Sequence, residues 1–160
     1  MRICLIVLAL LVPAAVPVTV GAQGDVRPAS YYHPPVVDSE TYKSPARVLD
    51  EASRPSRLKF IAAIEGRLLA APYPPQVVLF TNGLDAEHLI IVANSDGRLG
   101  TKYRVRAMFA TLTTIFRQTP LFREYGVETE FTFFDLAKLS GFQTVTVTDG
   151  RDYTYQVVVE

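Results

Sequence analysis

The chain has 160 residues, with 16 basic and 16 acidic side chains, and 49% of its residues are hydrophobic. That length corresponds to about one domain, and the hydrophobic fraction suffices for a single core. The balanced charge excludes a global field that would draw the chain to nucleic acid or anionic lipid. Aromatic residues are not interleaved with basic ones as base stacking requires, so we expect no nucleic-acid partner.

The N-terminus has the three parts of a secretory signal peptide. Met1-Arg2 is a positive start, residues 3–20 are an apolar run broken by two prolines, and small residues follow at Gly21-Ala22. We predict a signal peptide over 1–22 with cleavage near Ala22, and a periplasmic or secreted protein without stable membrane insertion. A retained anchor is the alternative, because the apolar run approaches the length that spans a bilayer.

The few cysteine and histidine residues limit which disulfides and metal sites this chain can form. Cys4 is the only cysteine, so signal cleavage leaves a chain that must fold in an oxidising compartment without a disulfide. His33 and His88 are far apart and have no clustered ligands beside them. We therefore predict no metal site and no cofactor, and we interpret His88, at the start of an apolar strand, as a hydrogen-bonding residue.

Residues 23–55 contain five prolines, several tyrosines and no apolar period. This composition predicts an extended arm or linker before a single domain over 56–160. The arm is either a disordered tether or a segment that lies against the domain or a partner.

Within the domain, apolar spacing predicts one helix capped by Ser56 and stopped by Pro72, and a second over 102–116. Short helices are predicted before Gly126 and between Thr132 and Gly141, with Thr132 and Asp135 as a capping box. Residues 76–82 and 88–94 read as interior strands that form a hairpin. The last hairpin has strict alternation, and a three-residue loop that pairs Val145 with Tyr153 aligns its apolar sides, with Gly150 left-handed.

These elements predict an α+β fold, a four-stranded, mostly antiparallel sheet of two hairpins with two to three helices packed on one face. No serine-nucleophile motif is present. The carboxylate pairs, Glu128 with Glu130 and Asp149 with Asp152, are read as structural.

The segment NSDGRLGTK at 94–102 joins a predicted strand to the start of a helix, which is a context that can hold a phosphate. Gly97 and Gly100 are too close for a P-loop, and Tyr103 stands where serine or threonine would follow the lysine. The simpler interpretation is a turn, after which Gly100 or Thr101 begins the helix. Lys102 and Arg106, one helical turn apart, could form a small basic patch that holds an anion, and the simpler interpretation is an ordinary solvated face of the helix.

A resemblance is carried by the block that runs from PYPPQ through LIIVANSDGRLGTKYRVRAMFATL to TPLFREYGVETEFTFFDLAKLSGFQTVTVTDGRDY. Over about residues 57–160 it resembles small secreted bacterial proteins that often carry the label of a molybdopterin-guanine dinucleotide biosynthesis protein. Arg98-Leu99-Gly100 is similar to the R-M-G part of the GTP-holding loop of the molybdenum cofactor guanylyltransferases, although Ala93-Asn94 stands where that loop has paired glycines. The resemblance implies Arg98, Gly100 and Lys102 as residues that would bind a nucleotide phosphate.

We therefore expect an exported, non-enzymatic α+β module that binds or assembles with a protein partner in the envelope. The partner would dock on the Tyr-rich arm or pair with an edge strand such as residues 153–159. The alternative is a nucleotide- or anion-binding protein linked to molybdenum cofactor biosynthesis, and any enzymatic activity would then be nucleotidyl transfer.

Overall fold

The computed structural model describes residues 33–94, 99–127 and 129–160. These residues form five strands: β1 Asp38–Tyr42, β2 Val77–Asn82, β3 His88–Ala93, β4 Thr144–Thr148 and β5 Thr154–Val159. They also form four helices: α1 Arg54–Leu69, α2 Lys102–Arg117, α3 Pro120–Tyr125 and α4 Phe133–Leu139. The predicted signal peptide lies outside the described residues.

The strands form one mixed sheet in the order β1-β5-β4-β3-β2. Both predicted hairpins are present, because β2 pairs with β3 and β4 with β5 in antiparallel fashion. The hairpins meet through a parallel pairing of β3 with β4, and β1 adds a second parallel pairing along β5. The α+β class is confirmed. The prediction of four strands and two to three helices is corrected to the five and four of the described residues, and β2 is an edge strand rather than an interior one.

The fifth strand comes from the segment that we predicted as an arm. Val37 N donates to Thr154 O at 3.0 Å, Glu160 N to Tyr42 O at 2.9 Å and Ser44 N to Glu160 O at 2.7 Å. These bonds tie β1 along the whole of β5, so the packed fold begins before residue 56. The C-terminal strand is therefore interior, and the prediction that residues 153–159 form an exposed edge strand is wrong.

The core lies between the helices and one face of the sheet. In the paired registers, Leu79, Ile91, Val147 and Tyr155 form one row across four strands, and all four are buried. The helices cover this row with aromatic side chains; the ring centroids of Phe60 and Phe116, for example, are 4.5 Å apart. Alternate residues of each strand point to the other face, as the period of two requires.

Most helix ends are where the sequence predicts them. Thr101 caps α2, Thr132 and Asp135 form the capping box of α4, and Gly126 ends α3 at φ 60°. The start of α1 is corrected, because Ser53 is its N-cap and Ser56, three residues later, completes a capping box. Pro55, within the first turn, is tolerated because the amide nitrogens there have no intrahelical acceptor.

The second hairpin has a wider loop than predicted. Val145 pairs with Val157 rather than Tyr153, and Gly150 is left-handed at φ 76°, as predicted. Asp149 explains the wider loop, because its Oδ1 accepts from the backbone N of Arg151, Asp152 and Tyr153 at 2.9, 3.1 and 3.0 Å. Partial burial alone would raise the pKa of Asp149, but these backbone donors outweigh it and lower the pKa.

A buried carboxylate joins β1 to α4. Asp135, only 3% exposed, accepts from Ser44 Oγ at 2.6 Å and from Tyr42 Oη at 3.2 Å. It also accepts from Thr132 N at 2.8 Å and from the Thr132 hydroxyl at 2.7 Å. Burial raises the pKa of Tyr42, and the nearby Asp135 carboxylate adds to this rise. One side chain therefore both caps a helix and holds the end of the edge strand.

We expect Asp135→Ala to lower the free energy of unfolding by about 3 kcal/mol, because the partly buried donors of Ser44, Tyr42 and Thr132 lose their charged acceptor and α4 loses one half of its capping box. Urea unfolding measures the change. Glu130→Ala is the control, an exposed carboxylate five residues away, and we expect a change of less than about 0.5 kcal/mol. Equal effects of the two substitutions would contradict the role given to Asp135.

Candidate functional site

Three basic residues occupy the first turns of α2. Thr101 Oγ1 accepts from Arg104 N at 3.4 Å and caps the helix, and Lys102, Arg104 and Arg106 follow. Because successive helical residues turn by about 100°, Lys102 and Arg106 share one face and Arg104 lies on the opposite face. The basic start of the helix is thus divided between two surfaces.

β1 covers the face of α2 that carries Lys102 and Arg106. Lys102 Nζ lies 2.9 Å from Asp38 Oδ2, and Arg106 Nη2 lies 3.5 Å from Glu40 Oε2. The distance along the helix from Lys102 to Arg106 matches the distance along the strand from Asp38 to Glu40, because four helical residues rise about 6 Å and two strand residues about 6.6 Å. The predicted basic patch therefore exists, and the anions beside it are carboxylates of the same chain. Each exposed pair contributes about 0–1 kcal/mol.

A buried tyrosine lies beneath these ion pairs. Tyr155 is 1% exposed, its hydroxyl is buried without a hydrogen-bond partner among the described residues, and Lys102 Nζ is 5.8 Å from its ring centroid. Burial raises the pKa of Tyr155 strongly, and the Glu40 carboxylate adds to this rise. This layer packs β1 against α2.

The three residues implied for phosphate binding have different positions. Arg98 lies outside the described residues. Gly100 precedes the N-cap of α2, with open space where a Cβ would stand, so a ligand could approach its backbone. Lys102 points to Asp38. Among the described residues, then, Gly100 and Lys102 are close along the chain, but the ammonium group has an acceptor within the fold.

The second surface of α2 forms one wall of an apolar groove of 560 Å³. We call the groove the space lined by the end of α1 and its connector (Leu68, Ala71, Tyr73, Pro74, Pro75, Gln76), by the sheet (Val77, Ala93), by Leu99, and by α2 (Arg104, Ala107, Met108, Thr111, Leu112, Ile115). Its volume is within the range of small-molecule sites.

The walls of the groove are rigid and partly exposed. Pro74 and Pro75 have fixed φ angles, so the connector forms a stiff wall opposite the helix. Leu99 and Leu112 are buried at its base, whereas Tyr73, which lines it, is 77% exposed. A concave apolar surface with an exposed aromatic side chain is typical of a site that binds a small molecule or a protein partner.

A second cleft, of 510 Å³, lies between α2, the end of β1 and residues 130–134. Its lining carries two positive and two negative side chains: Arg106, Arg117, Glu40 and Glu130. Arg106 is paired with Glu40, and Arg117 Nη2 donates to Phe131 O at 3.0 Å. This cleft has no net charge and is partly filled by internal contacts, so the groove is the stronger candidate.

The other predicted candidates have structural roles. His88 Nδ1 is 2.9 Å from Thr144 Oγ1, which confirms a hydrogen-bonding histidine. Asp149 organises its loop, Glu130 is exposed, and Glu128 lies outside the described residues. Among the residues that the structure covers, no group of three or more histidine, cysteine or acidic side chains could hold a metal ion. No helix within the described ranges is long and apolar enough to cross a bilayer.

Comparison with protein-family models, with curated proteins and with solved structures gives no match for this chain.

The groove was not predicted from the sequence, although part of its signal is visible there. Met108, Leu112 and Ile115 follow the apolar spacing that predicts the helix over 102–116. Ala107 and Thr111 lie beside these residues on the helix, and both line the groove. Small residues beside an apolar stripe leave room for an occupant, but a sequence alone does not show what lies opposite them.

The nucleotide hypothesis stays a prediction that one experiment tests. It requires GTP to raise the melting temperature and Arg98→Ala with Lys102→Ala to abolish the rise. We expect no rise in the unmutated protein, because the Lys102 ammonium group already binds Asp38. Thermal unfolding with and without GTP decides between the two. Arg123→Ala, an exposed cation on α3, is the charge-matched control. A rise that survives in the control and vanishes in the double variant would restore the phosphate site.

Proposed function

We propose that this protein is an exported, non-enzymatic binding module whose binding site is the groove between the end of α1 and α2. The observation that carries the proposal is the groove itself, a concave apolar surface of 560 Å³ with a stiff proline wall. The apolar and proline-containing N-terminus supports export, as does the use of a single cysteine within it.

The lining supports binding rather than catalysis. Its polar side chains are Tyr73, Gln76, Arg104 and Thr111, and no carboxylate, histidine or cysteine accompanies them among the described lining residues. General acid–base catalysis at neutral pH requires a group that can exchange a proton there, and an arginine stays protonated. The groove can therefore desolvate and orient an occupant, which is what a binding module does.

The binding energy would come from apolar contact area. Burial of apolar surface contributes about 25 cal/mol per Å², so covering a few hundred Å² contributes about 5–10 kcal/mol, which offsets the loss of motional freedom on binding. The two prolines restrict the backbone of the connector, so ordering this wall on binding costs little conformational entropy. An envelope protein that inserts an apolar side chain would satisfy the proposal as well as a small molecule would.

We expect the neutral dye N-phenyl-1-naphthylamine to bind the mature protein with increased fluorescence. Ala107→Phe fills the groove and is expected to weaken binding by about tenfold, equivalent to about 1.4 kcal/mol of lost contact. Ala110→Phe is the matched control, since Ala110 is also an exposed alanine of α2 but lines the second cleft. Fluorescence titration measures all three affinities.

Dye binding that the two substitutions weaken equally would contradict the proposal, as would no binding to the unmutated protein. Circular dichroism of both variants establishes that each is folded.

A further inference from the structure

β2 forms one edge of the sheet, and its sequence has few of the features that protect an exposed strand. It is the last strand in the order β1-β5-β4-β3-β2, and the segment VVLFTN contains no charged residue and no proline. Lysine, proline and a very short length are common means by which an edge strand avoids pairing with another chain. This edge is therefore suited to accept a further strand.

The backbone groups that face away from β3 belong to Val77, Leu79 and Thr81. Asn94 N donates to Gln76 O at 2.7 Å, so Gln76 is bonded toward β3. In an antiparallel ladder the direction alternates from residue to residue, which turns the N–H and C=O of every second residue from Val77 onward away from β3. An added strand would form its backbone hydrogen bonds with these three residues.

A carboxylate from α1 occupies the middle of this edge. Glu65 is half-buried, and its Oε1 accepts from the outward-facing Leu79 N at 3.1 Å. A side chain thus takes the place that the carbonyl oxygen of a neighbouring strand would have. Because a glutamate side chain has several rotamers, a strand that brings its own carbonyl can displace it without leaving Leu79 N unpaired.

The flank of α1 beside this edge is apolar on both sides of Glu65. Leu58 and Leu69 lie within about 40° of Glu65 around the helix axis, and they are 46% and 72% exposed. The end of α1 and the start of β2 line the same groove, so the helix runs back along the strand. Leu69 is about 6 Å from Glu65 along the helix, which is close to the rise of two strand residues, about 6.6 Å.

The register determines which side chains of an added strand reach this flank. Directly opposite residues of an antiparallel pair have their side chains on one face of the sheet, and Leu79 is buried on the face that the helices cover. The residue opposite Leu79 therefore points toward Glu65. The residues two positions away on either side point to the same face, toward the parts of the flank that carry Leu58 and Leu69.

The charge of Glu65 discriminates between possible strands. A cation opposite Leu79 would pair with the displaced carboxylate, so Glu65 and Leu79 N would both keep a partner. An acidic residue there would repel the carboxylate, and a neutral residue would leave it half-buried without its donor. A second copy of this chain that paired β2 with β2 about Leu79 would bring two Glu65 carboxylates together, which disfavours that pairing.

We infer that the β2 edge binds an extended, antiparallel segment of a partner protein, with a lysine or arginine opposite Leu79 and an apolar residue two positions away on each side. The carbonyl of the partner replaces Glu65 on Leu79 N, and its cation pairs with the Glu65 carboxylate. In strand addition, main-chain hydrogen bonds give affinity and side chains give specificity. The described lining of the groove includes neither Glu65 nor Leu79, so this surface does not depend on the proposed function.

The probe is the capped peptide Thr-Val-Thr-Lys-Thr-Val-Thr, and its control has glutamate in place of lysine. Isothermal titration calorimetry with the mature protein is expected to show about tenfold tighter binding of the lysine peptide, because attraction to Glu65 becomes repulsion in the control. N-methylation of the lysine amide is expected to abolish binding, because it removes the donor to Leu79 O.

Two charge reversals locate the cation. Glu65→Lys is expected to reverse the preference, so that the glutamate peptide binds more tightly. Glu130→Lys makes the same change in charge at an exposed residue of the second cleft and is expected to preserve the preference for lysine. If circular dichroism shows that Glu65→Lys does not fold, Glu65→Gln takes its place and is expected to remove the preference.

Equal binding of the two peptides, binding of neither, or the same response of Glu65→Lys and Glu130→Lys would overturn the inference. Dimerisation of Glu65→Gln in analytical ultracentrifugation, with no peptide bound by the unmutated protein, would instead assign the edge to a second copy. Ala107→Phe is expected to leave peptide binding unchanged. If it abolishes peptide binding as well as dye binding, the peptide lies in the groove, and this inference fails while the proposed function stands.

Discussion

The attachment of β1 to β5 and α2 completes the sheet on one side and covers one face of α2. A short polar strand pairs along β5 and presents Asp38 and Glu40 to the two basic residues on one face of α2. Asp135 holds the far end of the same strand through Ser44 and Tyr42. The edge strand is thus attached by backbone hydrogen bonds, by ion pairs and by partly buried side-chain hydrogen bonds, and β5 becomes an interior strand.

The attachment of β1 also distinguishes the two faces of α2. On the face toward β1, the positive charge of the helix start is balanced within the chain, which offsets the unfavourable position of cations near a helix N-terminus. On the opposite face, Arg104 lies at one end of an apolar groove. One face of α2 therefore contributes to stability, and the other, in our proposal, forms a wall of the binding groove.

The sequence predicted the helices and strands whose apolar residues recur at the spacing of a buried face. The stripe of α2, the capping box of Thr132 and Asp135, and both hairpins follow from local periodicity and turn chemistry. β1 could not be found in this way, because Asp38 and Glu40 face cations rather than an apolar core, so the strand lacks an apolar period. The groove was missed for a related reason: it is formed by the proline connector and α2, which are separated in sequence and brought together only by the fold.

Amide hydrogen exchange of the mature protein tests most directly whether β1 is part of the fold. Val37 N and Ser44 N donate to Thr154 O and Glu160 O at the two ends of this strand. We expect both amides to exchange at least about a hundredfold more slowly than in an unstructured peptide, equivalent to about 2.7 kcal/mol for local opening. Exchange of both at the peptide rate, while the core amide of Phe142 stays protected, would show that residues 37–44 are a tether and would leave Lys102 and Arg106 available to an external anion.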